Sequence, residues 1–156
     1  MPSTYPCLWF DTRAQEAAEF YTSLFPNSRL GTITNYPKGS GEREGQVLTV
    51  AFELDGARYL ALNGGPDFSF TEAISITIDV EDQAELDRYW DALTADGGEE
   101  GPCGWLKDKF GLSWQVVPKN WDEIASDDPD RAARVFAAMM QMKRLDIAAL
   151  EAAGEG

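Results

Sequence analysis

One order of elements runs through this chain twice: strand, helix, strand, strand, strand. Residues 7–11 read as a short strand of apolar and aromatic side chains. Residues 13–25 then place Ala14, Ala17, Ala18, Tyr21, Leu24 and Phe25 at helical spacing, and Pro26-Asn27-Ser28 ends that helix. Three strands follow, at 29–36, 46–54 and 57–62, the last two joined by the hairpin dipeptide Asp55-Gly56. The pattern restarts with the alternating run 74–80, a helix from Asp82 to about Ala95, a short strand near 99–101, and strands at 104–109 and 112–118. The first strands are offset by 68 positions, Leu8 to Ile76, and the closing hairpin glycines by 55, Gly56 to Gly111. The glycine-rich loop 37–45, present in the first copy alone, explains part of the difference.

The expected fold is therefore α+β: a single domain, 1–156, holding two tandem β-α-β-β-β units at 5–65 and 74–118. Residues 119–153 form a helical appendage. In it Asp127-Asp128-Pro129-Asp130 marks one helix start, Asp146 a second, and Val135, Phe136, Met139, Met140 and Met142 line the first helix.

Side chains alternate across a strand, so each strand has two faces. Ile74, Ile76, Ile78 and Val80 oppose Ser75, Thr77 and Asp79; Leu48, Val50, Phe52 and Leu54 oppose Thr49, Ala51 and Glu53. Leu60 and Leu62 oppose Tyr59, Ala61 and Asn63, while Trp114 and Val116 oppose Ser113, Gln115 and Val117. The apolar sets are expected to pack on helices. The mixed sets, with Trp105, either face water or curve together into a cup that holds a ligand.

Charge narrows the partners. With 13 basic and 27 acidic residues the formal net charge is −14, which repels nucleic-acid phosphates and anionic membrane surfaces alike. No apolar run approaches the ~20 residues of a membrane span, and residues 1–6 carry no secretory signal pattern. Two cysteines are too few for a disulfide framework, so a cytoplasmic location is expected.

The run Phe10-Asp11, Ala14, Glu16-Ala17, Phe20-Tyr21, Leu24-Phe25 resembles the first strand and helix of the vicinal oxygen chelate superfamily, which includes glyoxalase I, extradiol dioxygenases and bleomycin-resistance proteins. Leu62-Asn63-Gly64-Gly65 and the stretch from Cys103 to Gln115 resemble its PhnB-like branch, whose members carry the label 3-demethylubiquinone-9 3-methyltransferase-like. The resemblance covers essentially the whole chain. It implies a glyoxalase-like fold: paired β-α-β-β-β units, a curved mixed sheet around a cup, and a homodimer. It also implies a metal held by His and Glu on four strands, at places that fall near Pro6, near Tyr59 or Leu60, at Ser75 and at Gln115. The chain has no histidine, and these residues are poor ligands for such metals, so neither a metal nor a cofactor is expected.

The resemblance makes pocket lining the expected role of Tyr59, Asn63, Ser75, Trp105, Lys107 and Gln115, with Trp105 stacking and the others hydrogen bonding. No catalytic residue is assigned. Gly39-Ser40-Gly41 and Gly45 lie between antiparallel strands, and a methyl-donor site needs a glycine turn between a parallel strand and a helix. Cys103 and Cys7 are expected to be buried structural thiols, since the chain has no histidine to act as base and Lys107 is the nearest candidate to activate Cys103. Glu53 and Asp79 are expected in surface salt bridges. The leading expectation is a metal-free protein that binds a small-molecule ligand. The alternatives are an enzyme on a small organic substrate (a metal-independent lyase or isomerase, or the transferase of the family label) and an interaction domain.

Overall fold

In the first half, β1 (Cys7–Phe10), α1 (Ala14–Leu24), β2 (Arg29–Asn35), β3 (Val47–Leu54) and β4 (Ala57–Asn63) form a four-stranded sheet with a helix. The strand order is β1-β4-β3-β2, with β1 parallel to β4 and the other pairs antiparallel. The second half repeats it: β5 (Ile76–Val80), α2 (Gln83–Thr94), β6 (Glu99–Glu100), β7 (Trp105–Lys107) and β8 (Ser113–Pro118). Here the order is β5-β8-β7-β6, again with the first and last strands parallel. The α+β duplication is thus as the sequence predicts. This computed structural model describes all 156 residues, which divide into two compact units, Met1–Phe70 and Thr71–Gly156.

Each helix buries one stripe at i, i+3, i+4 and i+7. In α1 these are Ala14, Ala17, Ala18 and Tyr21; in α2 they are Leu86, Tyr89, Trp90 and Leu93. Leu8, Phe10, Val50 and Phe52 complete the first core, and Ile78, Val80, Leu106, Trp114 and Val116 the second. Each large side chain so buried is worth about 1.5–3 kcal/mol of transfer free energy. Asp82 caps α2 by accepting the Glu85 N–H at 2.8 Å. No side chain at Arg13 caps α1; instead the Ala14 N–H donates to Asn63 Oδ1 at 2.8 Å.

The β3–β4 hairpin corrects one expectation about faces. Asp55 and Gly56 both take positive φ, 47° and 79°, the form of turn that closes a two-residue hairpin. That turn sets Leu54 opposite Ala57, Phe52 opposite Tyr59 and Val50 opposite Ala61. Cross-strand partners share a face, so Tyr59, Ala61 and Asn63 stand with the buried Val50 and Phe52. Leu60 and Leu62 are on the other face, the reverse of the reading from hydrophobicity. Tyr59 stacks on Phe52 with ring centroids 5.3 Å apart, and burial pushes its phenol pKa up.

Two further differences concern ends. Ile74 precedes β5 and is 58% exposed, because pairing with β8 begins only at Ile76. A short helix, α3 (Trp121–Ala125), opens the appendage ahead of the two expected helices and is too brief to show a period. α4 (Pro129–Met139) and α5 (Ile147–Glu155) follow, with Asp128 and Asp146 as their N-caps. Val135 is buried in the second unit, but Phe136 and Met140 are exposed. Of the two carboxylates expected in salt bridges, Glu53 pairs with Arg29 at 2.6 Å, whereas Asp79 makes no ion pair.

Candidate functional site

The face of the second sheet turned away from the buried Leu106, Trp114 and Val116 carries the polar chemistry. Register builds it in rows across the strands. Glu99, Lys107 and Ser113 form one row; Trp105, Gln115 and Thr77 form the next. Neighbours within a row lie about 4.8 Å apart, and successive rows about 7 Å apart. The β7–β8 hairpin that fixes these rows is held by Asp108. Its Oδ1 accepts the N–H groups of Phe110 and Leu112, and its Oδ2 accepts the Trp114 indole N–H at 2.8 Å.

A cavity of about 430 Å³ opens beside these rows, with Glu72, Glu99, Cys103, Trp105, Lys107 and Ser113 in its walls. Trp105 is half-buried there. Ser113 is 1% exposed, and its hydroxyl has no hydrogen-bond partner. A buried hydroxyl left unpaired costs free energy, and a ligand group is one way to satisfy it. The Lys107 ammonium pairs with the Glu72 carboxylate. That hydrogen bond, ahead of the charge attraction, raises the Lys107 pKa, and it is also the largest cause lowering that of Glu72.

Four of the six expected site residues therefore share one sheet face: Ser75, Trp105, Lys107 and Gln115. Trp105 and Lys107 wall the cavity; Ser75 and Gln115 bond to each other, the Gln115 amide donating to Ser75 Oγ at 2.9 Å. Tyr59 and Asn63 stand on the helix-packed face of the first sheet, and the Asn63 amide is engaged at both ends, by Ala14 N–H and by the Val47 carbonyl at 3.1 Å. Asn63 also borders a separate polar cavity in the first unit, with Asp11, Tyr36 and Arg43. Ser113 was legible from its place two residues before Gln115. Glu72 lies in a connection without periodicity, and nothing in the sequence marked it.

Both cysteines depart from expectation. Cys7 alternates with the buried Leu8 and Phe10, which turns it to the exposed face of its sheet, though partial burial pushes its thiol pKa up. Cys103 is half-buried in the cavity wall, with φ at 58° and its sulfur 3.4 Å from that of Met140. Backbone bonds from Cys103 and Gly104 to the carbonyls of Met142 and Lys143, each 2.8 Å, hold it there.

The residues at the places where the resemblance implies a metal do not fit a divalent ion. Ser75 and Gln115 offer only a neutral hydroxyl and a neutral amide, poor ligands for such an ion, and the Gln115 amide nitrogen donates to Ser75 Oγ. Nor does the glycine run fit a methyl donor. It folds as a single 3₁₀ turn, Gly41–Arg43, inside a hairpin loop closed by Tyr36 N–H to the Gln46 carbonyl at 2.8 Å.

The sequence pattern of the 3-demethylubiquinone-9 3-methyltransferase family matches residues 2–117. A PhnB protein from Bacillus cereus, carrying that same family description, is 30% identical. The match has a TM-score of 0.65 and covers 74% of this chain and 99% of that one. A protein from Pseudomonas aeruginosa is 19% identical with a TM-score of 0.63, covering 76% and 98%. The fosfomycin resistance protein FosX from Listeria monocytogenes, solved with Mn(II) and sulfate, is 14% identical with a TM-score of 0.54, covering 78% and 93%. The last two likenesses are of fold alone. No protein of curated function matches the chain.

Proposed function

Because this chain belongs to the 3-demethylubiquinone-9 3-methyltransferase family, within the vicinal oxygen chelate superfamily, we propose that it is a metal-independent small-molecule-binding protein with its site at the Trp105 cavity. The observation that carries this reading is the unpaired, buried Ser113 hydroxyl beside a 430 Å³ cavity walled by an indole. Pockets for small ligands combine apolar walls with a few placed polar groups, and this cavity has that make-up. Trp105 supplies the flat wall; Ser113 and the Lys107–Glu72 pair supply the polar groups. Ser75 and Gln115 extend the same face as a neutral, hydrogen-bonding floor. Tyr59 and Asn63 act in the first unit as packing and helix-capping groups.

A cytoplasmic homodimer is part of the proposal. Both cysteines are free, which suits a reducing compartment. Every residue of the edge strand β2 is exposed, including Leu30 and Ile33, an edge that pairing with a second copy would cover. Light scattering that returns a dimer mass supports the pairing, and a monomer mass at micromolar concentration refutes it.

Native mass spectrometry of the protein purified from its own cells tests the binding function. The expected result is a non-covalent adduct on the parent chain that is lost in Trp105→Ala. An adduct that survives this substitution places the site elsewhere.

A further inference from the structure

The charge of the cavity walls is lopsided, and the asymmetry has a position. Lys107 is the one basic side chain in the lining, against the carboxylates of Glu72, Glu99 and Glu100. Glu72 is closed on Lys107 and neutralises it. Glu100 holds the Trp90 indole N–H at 2.7 Å on the α2 side of the sheet. Glu99 stands across the strand pair from Lys107 and acts on that ammonium only through its field. Glu100 keeps its charge on that other side, and Glu99 is the carboxylate on the Trp105 face that no cation pairs, one row along and one strand over from Trp105. The chain's formal net charge of −14 adds to the same sign of potential. An acidic wall alone would describe a solvated surface; here it adjoins a buried hydroxyl with no partner and an indole face.

Resting on the reading of this cavity as a ligand site, we infer that it selects flat aromatic compounds bearing a positive charge, with Trp105 taking the ring and Glu99 the charge. The indole attracts a cationic ring through its quadrupole as well as by stacking. Glu99 stands diagonal to Trp105, one strand over and one row along, about 7–8 Å away, so a charged substituent that leaves the ring toward β6 comes beside it. Ser113 accepts or donates one hydrogen bond from a ring heteroatom or amine. Anionic aromatics are rejected, because the only cation in the walls is already paired.

A matched series tests the inference: 1-naphthylmethylammonium, 1-naphthalenemethanol and 1-naphthoate, titrated at low ionic strength and followed by ligand-observed NMR. The ammonium compound is expected to bind about tenfold more tightly than the carboxylate, with the alcohol between, the order one weakly screened carboxylate supplies. Added salt and Glu99→Gln should each shrink that preference. Trp105→Ala should weaken all three, while Trp105→Phe, which keeps a ring, should restore binding. Equal affinities for the three compounds, still sensitive to Trp105→Ala, overturn the charge selection and leave the cavity reading standing. Absence of binding by all three, or binding indifferent to Trp105→Ala, overturns the cavity reading and the inference with it.

Discussion

The carboxylate of Asp108 accepts the indole N–H of Trp114 at 2.8 Å, and both side chains are buried. The same carboxylate takes two backbone N–H groups of the hairpin turn, so one residue ties the turn to the core on which it rests. This is the physical content of the stretch from Cys103 to Gln115. Asp108→Ala should cost about 3 kcal/mol or more, because it leaves three donors unpaired in or near the core. Asp108→Asn keeps an acceptor for the turn and should cost about half as much. Urea denaturation midpoints check both.

The two tryptophans of that hairpin should separate stability from binding. Trp114 is 0% exposed, so Trp114→Ala should cost about 3–5 kcal/mol. Trp105→Ala should cost clearly less, since this residue is only partly buried, yet it should remove ligand binding. Paired denaturant melts and titrations check this. A larger stability loss at Trp105, with binding retained, inverts the assignment of the two faces.

The Glu72–Lys107 pair sets a pH window. The folded pKa of Glu72 is lowered below its ordinary 4.5, so its contribution is complete above that value and is lost as pH falls through the lowered one. The pKa of Lys107 is raised above its ordinary 10.5, so its contribution is complete below that value and is lost as pH rises through the raised one. Carboxylate carbon shifts of Glu72 followed by NMR in acid should give a higher apparent pKa in Lys107→Met than in the parent. Superimposable titrations in the two proteins would mean that the pair does not hold in solution.

The cysteines provide a positional check. Cys103 sits in the cavity wall and Cys7 on a different unit. Saturating 1-naphthylmethylammonium should slow alkylation of Cys103 and leave Cys7 unchanged, as mapped by peptide mass. Cys7 should react slowly at neutral pH, because its raised pKa keeps the thiolate scarce. Equal protection of both thiols contradicts a site confined to the second unit.

Most of the fold was readable because its signals are local. The helix stripes Ala14 to Tyr21 and Leu86 to Leu93, the caps at Asp82, Asp128 and Asp146, and the Asp55-Gly56 turn each lie within a few residues. The face of β4 was misread because hydrophobicity favoured Leu60 and Leu62, whereas the register is set by the two-residue turn. That turn, taken at its word, already places Tyr59 beside Phe52. On the second sheet the alternation from Gln115 placed Ser113 and Trp105 together, so half of the candidate site was legible. Glu72 and the exposure of Cys103 depend on how a connection and a loop are strapped down by distant backbone groups, which no short-range pattern encodes.

The most direct test of the cavity as the binding site is an indole ¹⁵N–¹H spectrum recorded while 1-naphthylmethylammonium is added. The five tryptophans report from different places: Trp9 is bonded to the Gly65 carbonyl, Trp90 to Glu100, Trp114 to Asp108, Trp105 walls the cavity and Trp121 begins α3. The account predicts a saturable shift of the Trp105 signal, with Trp9 and Trp114 unmoved. A saturable shift at Trp9 with Trp105 unmoved, or no shift at any indole, would contradict it.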